Sequence, residues 1–191
     1  MKSWFGRTWF SSPRRKPSRA RPIRLRLERL EDRTVPSTVT EFPGLTANAQ
    51  AAGIVLAADG NFWFTEFNNN ALGRITPSGA VTEFSLAALG AGNGPLDLVS
   101  DPNNNLLYFT EFNTGKIGDI NPLAGTNALI LASETQSAVV PSGAGAGVNG
   151  ITLGPDGNLW FTETNVDKVG NINPTLTTIN EFGTGITAGA A

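Results

Sequence analysis

Three glutamates stand at matching positions of a recurring phrase, and carboxylates are the groups in this chain best suited to chemistry. Glu66, Glu111 and Glu163 each follow a threonine that closes an aromatic segment (WFTE, YFTE and WFTE), at separations of 45 and 52 residues. Carboxylate oxygens bind divalent cations and act as general bases. Arranged around an axis, the three would form a ring that could hold a metal ion or a cationic ligand. The simpler alternative is that each Thr-Glu pair ends a strand in solvent or caps a loop.

Composition excludes several other kinds of chemistry. The 191 residues contain no histidine and no cysteine, so this sequence supplies neither a histidine base nor a thiolate metal site. No Gly-x-Ser-x-Gly elbow or phosphate-binding loop is present. The acidic loops at residues 59–61, 101–105 and 156–158 resemble calcium loops superficially, but no bidentate glutamate follows at the required spacing. Turn formation explains them.

Each glutamate belongs to a unit of four short strands. In the third unit, VNGITL at residues 148–153 is an apolar strand, PDGN is a tight turn, and LWFTE at 159–163 is an aromatic, β-branched strand. KVGNIN at 168–173 and TINEF at 178–182 predict the third and fourth strands. Short turns between successive strands predict one antiparallel four-stranded blade.

Repetition of this unit predicts an all-β fold of β-propeller type. Blades are expected at about residues 53–86, 94–133 and 147–182, within a partial propeller spanning 38–191. The fourth strand of the second blade is expected at residues 128–131 (ALIL). A lone leading strand is expected at residues 39–42, because its letters VTEF recur in the fourth strand of the first blade.

Trp63, Tyr108 and Trp160 occupy one position of the unit. A blade cannot bury its apolar face alone, so we expect these aromatics to pack between neighbouring blades, with ligand stacking as the alternative. Propellers close with about 4 to 8 blades. The sequence therefore predicts an incomplete ring, which copies of itself or another protein complete, or which is a fragment of a longer gene product.

The first 37 residues form a basic leader that differs from the rest of the chain. Residues 1–33 carry 11 Lys and Arg against 3 Asp and Glu, whereas residues 34–191 carry 3 against 13. The leader is expected to be disordered or to form a short amphipathic helix at residues 23–33. It has no apolar stretch typical of a signal peptide or a membrane span. No basic, aromatic surface follows it, so nucleic-acid binding is not expected.

One phrase in the leader suggests a destination. LERLEDRTVPS at residues 27–37 resembles the N-terminal segment of many exported, often repeat-containing, proteins in one group of bacteria. The resemblance implies an exported or cell-envelope location.

The phrases GITLGPDGNLWFTE and GRITPSGAVTEF closely resemble blades of the virginiamycin B lyase family, or streptogramin lyases, over about residues 38–191. The resemblance implies a seven-bladed propeller that opens a cyclic depsipeptide by elimination at its ester bond, using magnesium and a histidine base. In the family, a blade's first strand begins Glu-Pro-His-Gly-Ile.

The family's site residues are matched only in part. Ala52, Leu96 and Asn149 stand at the histidine position, and Gly147 stands at the preceding glutamate position of the third unit. In the family, one magnesium-binding glutamate precedes the histidine and another follows the aromatic strand. The second of these is matched by Glu66, Glu111 or Glu163, which the resemblance makes candidate magnesium ligands.

These features predict an exported binding or interaction module without lyase activity and without a required cofactor. It would contact an unidentified protein or extracellular ligand through rim loops or exposed blade faces. Two alternatives stay open: a divergent magnesium-dependent lyase acting on a cyclic depsipeptide or related ester, and a truncated propeller fragment with no independent role.

Overall fold

The computed structural model describes residues 41–42 and 44–184. The leader lies outside this part, as do residues 39 and 40 of the expected leading strand; Glu41 and Phe42 are described and belong to no strand. Within the described residues, the chain forms three sheets of four antiparallel strands. The prediction of an all-β fold with three four-stranded blades is therefore confirmed. No helix in this part of the chain is long and apolar enough to cross a membrane.

The strands follow one another in chain order within each sheet. Blade 1 consists of β1 Ala51–Leu56, β2 Phe62–Glu66, β3 Ala71–Ile75 and β4 Val81–Ser85. Blade 2 consists of β5 Pro95–Ser100, β6 Leu107–Glu111, β7 Lys116–Ile120 and β8 Thr135–Gln136. Blade 3 consists of β9 Val148–Leu153, β10 Leu159–Glu163, β11 Lys168–Ile172 and β12 Ile179–Phe182. The first strands of adjacent blades lie next to one another, so they form the inner edge and the fourth strands form the outer edge.

The fourth strand of blade 2 does not lie where it was predicted. Residues 128–131 belong to helix α1, Asn127–Leu131, and the strand is β8, further along the chain. Thr126 caps the helix, because its side-chain oxygen accepts the Leu129 N–H at 3.4 Å. Ile130 is fully buried in the core between blades 1 and 2. A short apolar run does not distinguish a strand from a buried helical turn, and here the cap and the core position favour the helix.

A bulge in each first strand explains the threonine that precedes each glutamate. The pairing of the first strand with the second shifts register near the start of all three blades, which leaves one backbone N–H without a ladder partner. A threonine hydroxyl accepts that N–H in each blade. The pairs are Gly53 N–H to Thr65 at 3.0 Å, Asp97 N–H to Thr110 at 3.0 Å and Gly150 N–H to Thr162 at 3.1 Å.

A phenylalanine and a glycine meet at the centre of each blade. The cross-strand pairs are Phe64 with Gly73, Phe109 with Gly118 and Phe161 with Gly170. A Cβ atom at any of these glycines would overlap the ring of its partner. The glycines are therefore required by the close approach of the rings.

Two apolar cores lie between the blades. The first joins Trp63 and Phe84 of blade 1 to Leu98 and Phe109 of blade 2. The second joins Tyr108 of blade 2 to residues of blade 3. Trp63 and Tyr108 are fully buried, which confirms their predicted packing between blades. Trp160 is only partly buried and stacks on Phe182 with ring centroids 5.6 Å apart.

The acidic loops form turns. In two of them, an aspartate accepts the N–H of the asparagine two residues later and also the indole N–H of the following tryptophan: Asp59 for Trp63 at 3.2 Å, and Asp156 for Trp160 at 3.0 Å. Asp101 accepts the Asn103 N–H at 2.8 Å. These are Asx turns, as the sequence predicted.

Candidate functional site

The three candidate glutamates lie at the same edge of their blades. Each is the last residue of a second strand and stands opposite the first residue of the third strand: Glu66 opposite Ala71, Glu111 opposite Lys116 and Glu163 opposite Lys168. Their exposed fractions are 0%, 0% and 1%. They therefore end strands in the interior of the blades, not in solvent.

The three carboxylates differ in their hydrogen bonds. Glu111 accepts the Thr114 hydroxyl at 2.6 Å and the Gln136 amide at 2.9 Å. Glu66 accepts the Asn69 amide at 3.3 Å through Oε2, while its buried Oε1 has no partner among the described residues. Glu66 and Glu111 thus cap the loops that follow them, which agrees with the loop-capping alternative.

Glu163 has the fewest hydrogen-bond partners of the three glutamates. Both of its carboxylate oxygens are buried and accept no hydrogen bond from the described residues. Burial raises the pKa of Glu163 and Ser142 opposes that rise, but the N–H and hydroxyl of Ser142 donate to Glu181 at 2.6 and 2.7 Å. Ser142 therefore donates to Glu181 and not to Glu163.

Burial raises the pKa of all three glutamates above the ordinary value, because desolvation disfavours the charged carboxylate. The nearby charge of Glu83 raises the pKa of Glu66 further, and that of Glu181 does the same for Glu163. In blade 2, burial and then the charge of Glu111 raise the pKa of Glu134 to about 7. The charged form of each carboxylate is therefore less stable here than it would be in water.

A second polar position lies on the fourth strand. Glu83, Gln136 and Glu181 stand opposite the central glycines of their blades. Glu83 accepts the N–H and hydroxyl of Thr46, both at 2.6 Å, and Glu181 holds Ser142 in the same way. Gln136 instead donates to the Leu89 carbonyl at 3.1 Å. This position therefore fixes the segment that enters each blade.

Lysines complete the arrangement in blades 2 and 3. Lys116 donates to Gln136 at 2.6 Å, and Lys168 donates to Glu181 and to Ser142, both at 2.7 Å. Burial opposes ionisation of Glu181, but the hydrogen bonds from Lys168 and Ser142 outweigh it and lower its pKa. Blade 1 has Ala71 at the lysine position.

The described residues contain no group of three or more acidic, histidine or cysteine side chains that could hold a metal ion. Each candidate glutamate belongs to a different blade, and two of them have a lysine directly across the strand pair. Magnesium requires several oxygen ligands in near-octahedral geometry, and this donor set does not fit that requirement. Metal binding by Glu66, Glu111 and Glu163 remains a prediction.

Ala52, Leu96 and Asn149 are the second residues of β1, β5 and β9, so their equivalence holds in the structure. The preceding residue outside each strand is Gln50, Gly94 or Gly147. All three adopt positive φ, at 53°, 62° and 67°. The start of each first strand therefore presents a methyl, an isobutyl or an amide group, and no titratable side chain.

Asp97 is a site residue that sequence reasoning missed. It stands on β5, and its Oδ2 accepts the Ile151 N–H of β9 at 3.0 Å. On the other side, a Cβ at Gly53 of β1 would lie 2.8 Å from Asp97 Oδ1. Asp97 thus contacts the inner strands of both neighbouring blades. The sequence contains one signal for it: Asp97 stands at a position where the other two units have a glycine, Gly53 and Gly150.

Two of the cavities formed by the described residues lie on the outer faces of blades 1 and 3. One of about 320 Å³ is lined by Phe42, Leu45, Ile54, Phe64 and Val81 together with small residues of β1. The other, of about 370 Å³, is lined by Asp97, Trp160, Thr162 and Val169 together with neighbouring residues of β9 and β10. Both are largely apolar grooves.

Three four-stranded meanders with their first strands side by side are blades of a β-propeller, and this is the class of protein that the fold defines. Residues 24–143 match the model of the Virginiamycin B lyase family. The match covers more than half of the chain, so the chain belongs to the virginiamycin B lyase family.

Individual relatives agree with this assignment. Virginiamycin B lyase from Bordetella parapertussis is 42% identical over 48 residues, which are 25% of this chain and 16% of that protein. The selenomethionine-substituted enzyme from Staphylococcus aureus gives a TM-score of 0.66 at 31% identity, covering 79% of this chain and 47% of that one. A catalytically inactive histidine-to-alanine variant of the S. aureus enzyme, solved with quinupristin, gives 0.68 at 30% identity, covering 81% and 48%. The chain spans about half the length of these solved relatives.

Proposed function

We propose that this chain is an exported binding or interaction module built from virginiamycin B lyase-type blades, and that it does not catalyse the family's elimination. The observation that carries the proposal is the chemistry at the start of the inner strands. Ala52, Leu96 and Asn149 occupy the positions where the family resemblance places a histidine base. None of these side chains accepts a proton near neutral pH.

The buried glutamates do not supply the missing base. A general base must reach the proton that it removes, within about 2.6–3.2 Å or through one water. Glu66, Glu111 and Glu163 are at most 1% exposed, and their carboxylates lie inside the blades. Two of them accept hydrogen bonds from their own loops. Their arrangement supports a structural role at the blade edge.

The surfaces that remain for binding are the outer faces of blades 1 and 3. Ile54, Leu56 and Phe62 are 64%, 56% and 42% exposed on blade 1, and Phe182 is 47% exposed on blade 3. Contiguous apolar surface of this kind marks interaction sites. These faces support a role in contacting another protein or an extracellular ligand.

Incubation of the 191-residue chain with quinupristin and magnesium, followed by mass spectrometry, tests the absence of lyase activity. We expect quinupristin to stay cyclic over hours at micromolar protein, with circular dichroism confirming β structure in the same sample. Linearisation that is lost in Glu163→Gln would overturn the proposal and favour the magnesium-dependent lyase. Thr164→Ala, at an exposed neighbouring residue, is the matched control.

The exported location has its own test. The segment at residues 27–37 supports export through its resemblance alone. We expect the full chain to be recovered outside the cytoplasm of its native host, and a chain lacking residues 27–37 to be retained inside. Equal distribution of both chains would contradict the location.

A further inference from the structure

The outer faces of blades 1 and 3 match the two halves of the interfaces inside the molecule. The leading face is the side of blade 1 formed by Ile54, Leu56, Phe62, Phe64, Ile75 and Val81. The trailing face is the side of blade 3 formed by Thr152, Trp160, Thr162, Val169 and Phe182. Within the described residues, no blade covers either face.

The positions of the leading face are buried wherever a blade precedes them. Strand pairing places Leu98, Leu107, Phe109 and Ile120 of blade 2 at the positions of Ile54, Phe62, Phe64 and Ile75. All four blade 2 residues are at most 5% exposed and belong to the core shared with blade 1. A leading face is therefore built to receive the trailing face of another blade.

The positions of the trailing face are buried wherever a blade follows them. Trp63 stacks on Phe84 with centroids 4.8 Å apart, and both are covered by blade 2. Trp160 and Phe182 form the same stacked pair on blade 3. The pair that fills one internal interface is therefore preassembled on the trailing face.

Phe42 shows what the leading face accepts. The letters Glu-Phe recur at residues 41–42, 83–84 and 181–182, so Phe42 corresponds to Phe84 and Phe182. Phe42 lines the leading-face groove together with Phe64 and contacts Gly79. The phenylalanine of a Glu-Phe pair thus fits this groove, as Phe84 of β4 fits between blades 1 and 2.

From this match we propose that two copies of the chain associate head to tail, the trailing face of each docking on the leading face of the other. Phe182 of the partner subunit takes the place of Phe42, which moves out of the groove. Thr162 then donates to the backbone carbonyl of the partner's Ala52, as Thr65 donates to the Leu96 carbonyl at 2.9 Å inside the molecule.

Head-to-tail docking also gives a blade number at which propellers close. The described residues of two copies carry six blades, within the range of about 4 to 8 at which propellers close. A two-fold axis repeats the same contact at both junctions, so the leading and trailing faces of the described blades are covered in both copies. This proposal names the partner for the binding role proposed above and rests on it. Oligomeric mass and quinupristin turnover are separate measurements, so either proposal can fail while the other holds.

Sedimentation equilibrium of the 191-residue chain tests the proposal. We expect a dimer of twice the 20.1 kDa chain mass. Ile54→Asp on the leading face and Phe182→Asp on the trailing face should each weaken dimerisation about 100-fold or more, since each buries a carboxylate at both junctions. Both residues are exposed in the single chain, so both variants are expected to fold. Leu123→Asp, at an exposed position of blade 2, is the matched control.

Mixing the two variants gives the decisive result. An Ile54→Asp chain and a Phe182→Asp chain can still form one intact junction, from the unaltered faces, so the mixture should contain more dimer than either variant alone. Disruption by Ile54→Asp only would show that leading faces pair with each other and would overturn the proposal. A monomeric parent chain, or a dimer unaffected by both variants, would overturn it as well.

Discussion

Blades 1 and 3 share their strand order, the Thr-Glu ending of the second strand and the phenylalanine-glycine contact. They differ in the side chains around the buried glutamate and in whether a neighbouring blade covers the phenylalanine. In blade 3, Lys168 and Ser142 surround Glu181 beside Glu163, and Phe161 is enclosed by blade 2. In blade 1, Ala71 replaces the lysine, and Phe64 lies beside an open groove. The shared features maintain the blade, whereas the differences follow from whether a neighbouring blade covers that face.

The largest expected effect is a loss of stability that is greater beside Phe161, which blade 2 encloses, than beside Phe64, which lies beside an open groove. Gly170→Ala places a Cβ into the Phe161 ring, which is fixed between blades 2 and 3, so we expect a loss of about 3 kcal/mol in the free energy of unfolding. Gly73→Ala meets Phe64, whose ring can shift into the groove, and we expect a loss of about 1 kcal/mol. Urea unfolding at low protein concentration measures both, and equal losses would refute the distinction between the two faces.

The second comparison concerns the residue before each first strand. Gly147 has φ of 67°, and a Cβ there would lie 2.6 Å from Asn165 Nδ2, so we expect Gly147→Ala to cost about 2 kcal/mol. Gln50 has the equivalent left-handed conformation, with φ of 53°. Gln50→Gly removes that strain, and we expect a gain of about 0.5 kcal/mol. Thermal unfolding is the measurement; a loss on Gln50→Gly would contradict the assigned strain.

The sequence predicted the structural features that depend on residues close together in the chain, and missed those that depend on contacts between distant residues. Alternating apolar residues and DGN turns were sufficient for the strands and for the burial of Trp63 and Tyr108. The strand predicted at residues 128–131 was wrong, because burial of Ile130 against blade 1 is a tertiary effect that a four-residue pattern does not contain. The glutamates were located, but their burial was not predicted, since the bulge and the entering segments that enclose them come from distant residues. The contact of Asp97 with β9 depends on three first strands meeting, which no local pattern reports.

The third prediction extends the comparison to blade 2, which has both a lysine and an additional acid. Burial and then the charge of Glu111 raise the pKa of Glu134 from 4.5 to about 7. Between these values the unfolded chain loses the proton while the folded chain keeps it, so stability falls as pH rises from about 4.5 to 7. Glu134 is only half-buried, so solvent screening reduces the fall to about 1 kcal/mol. Urea midpoints between pH 4 and 8 should decline in the parent chain and decline less in Glu134→Gln; parallel profiles would rule out Glu134 as the source.

The smallest expected effect comes from a substitution that makes blade 1 resemble blade 3. Ala71→Lys places an ammonium opposite Glu66, as Lys168 stands opposite Glu163 in blade 3. Glu83 of β4 pairs with Gly73, two residues along β3 from this position. Because Glu83 is exposed, we expect a gain of only about 0.5 kcal/mol, with the pKa of Glu66 lowered toward its ordinary value by the new charge. Ala71→Met, which has a long side chain without charge, is the matched control, and NMR titration of Glu66 in both variants reports the pKa. A pKa that falls equally in the two would show that packing, not charge, distinguishes the blades; a fall confined to Ala71→Lys would show that blade 1 has the acceptor geometry of blade 3 and differs from it in the cation alone.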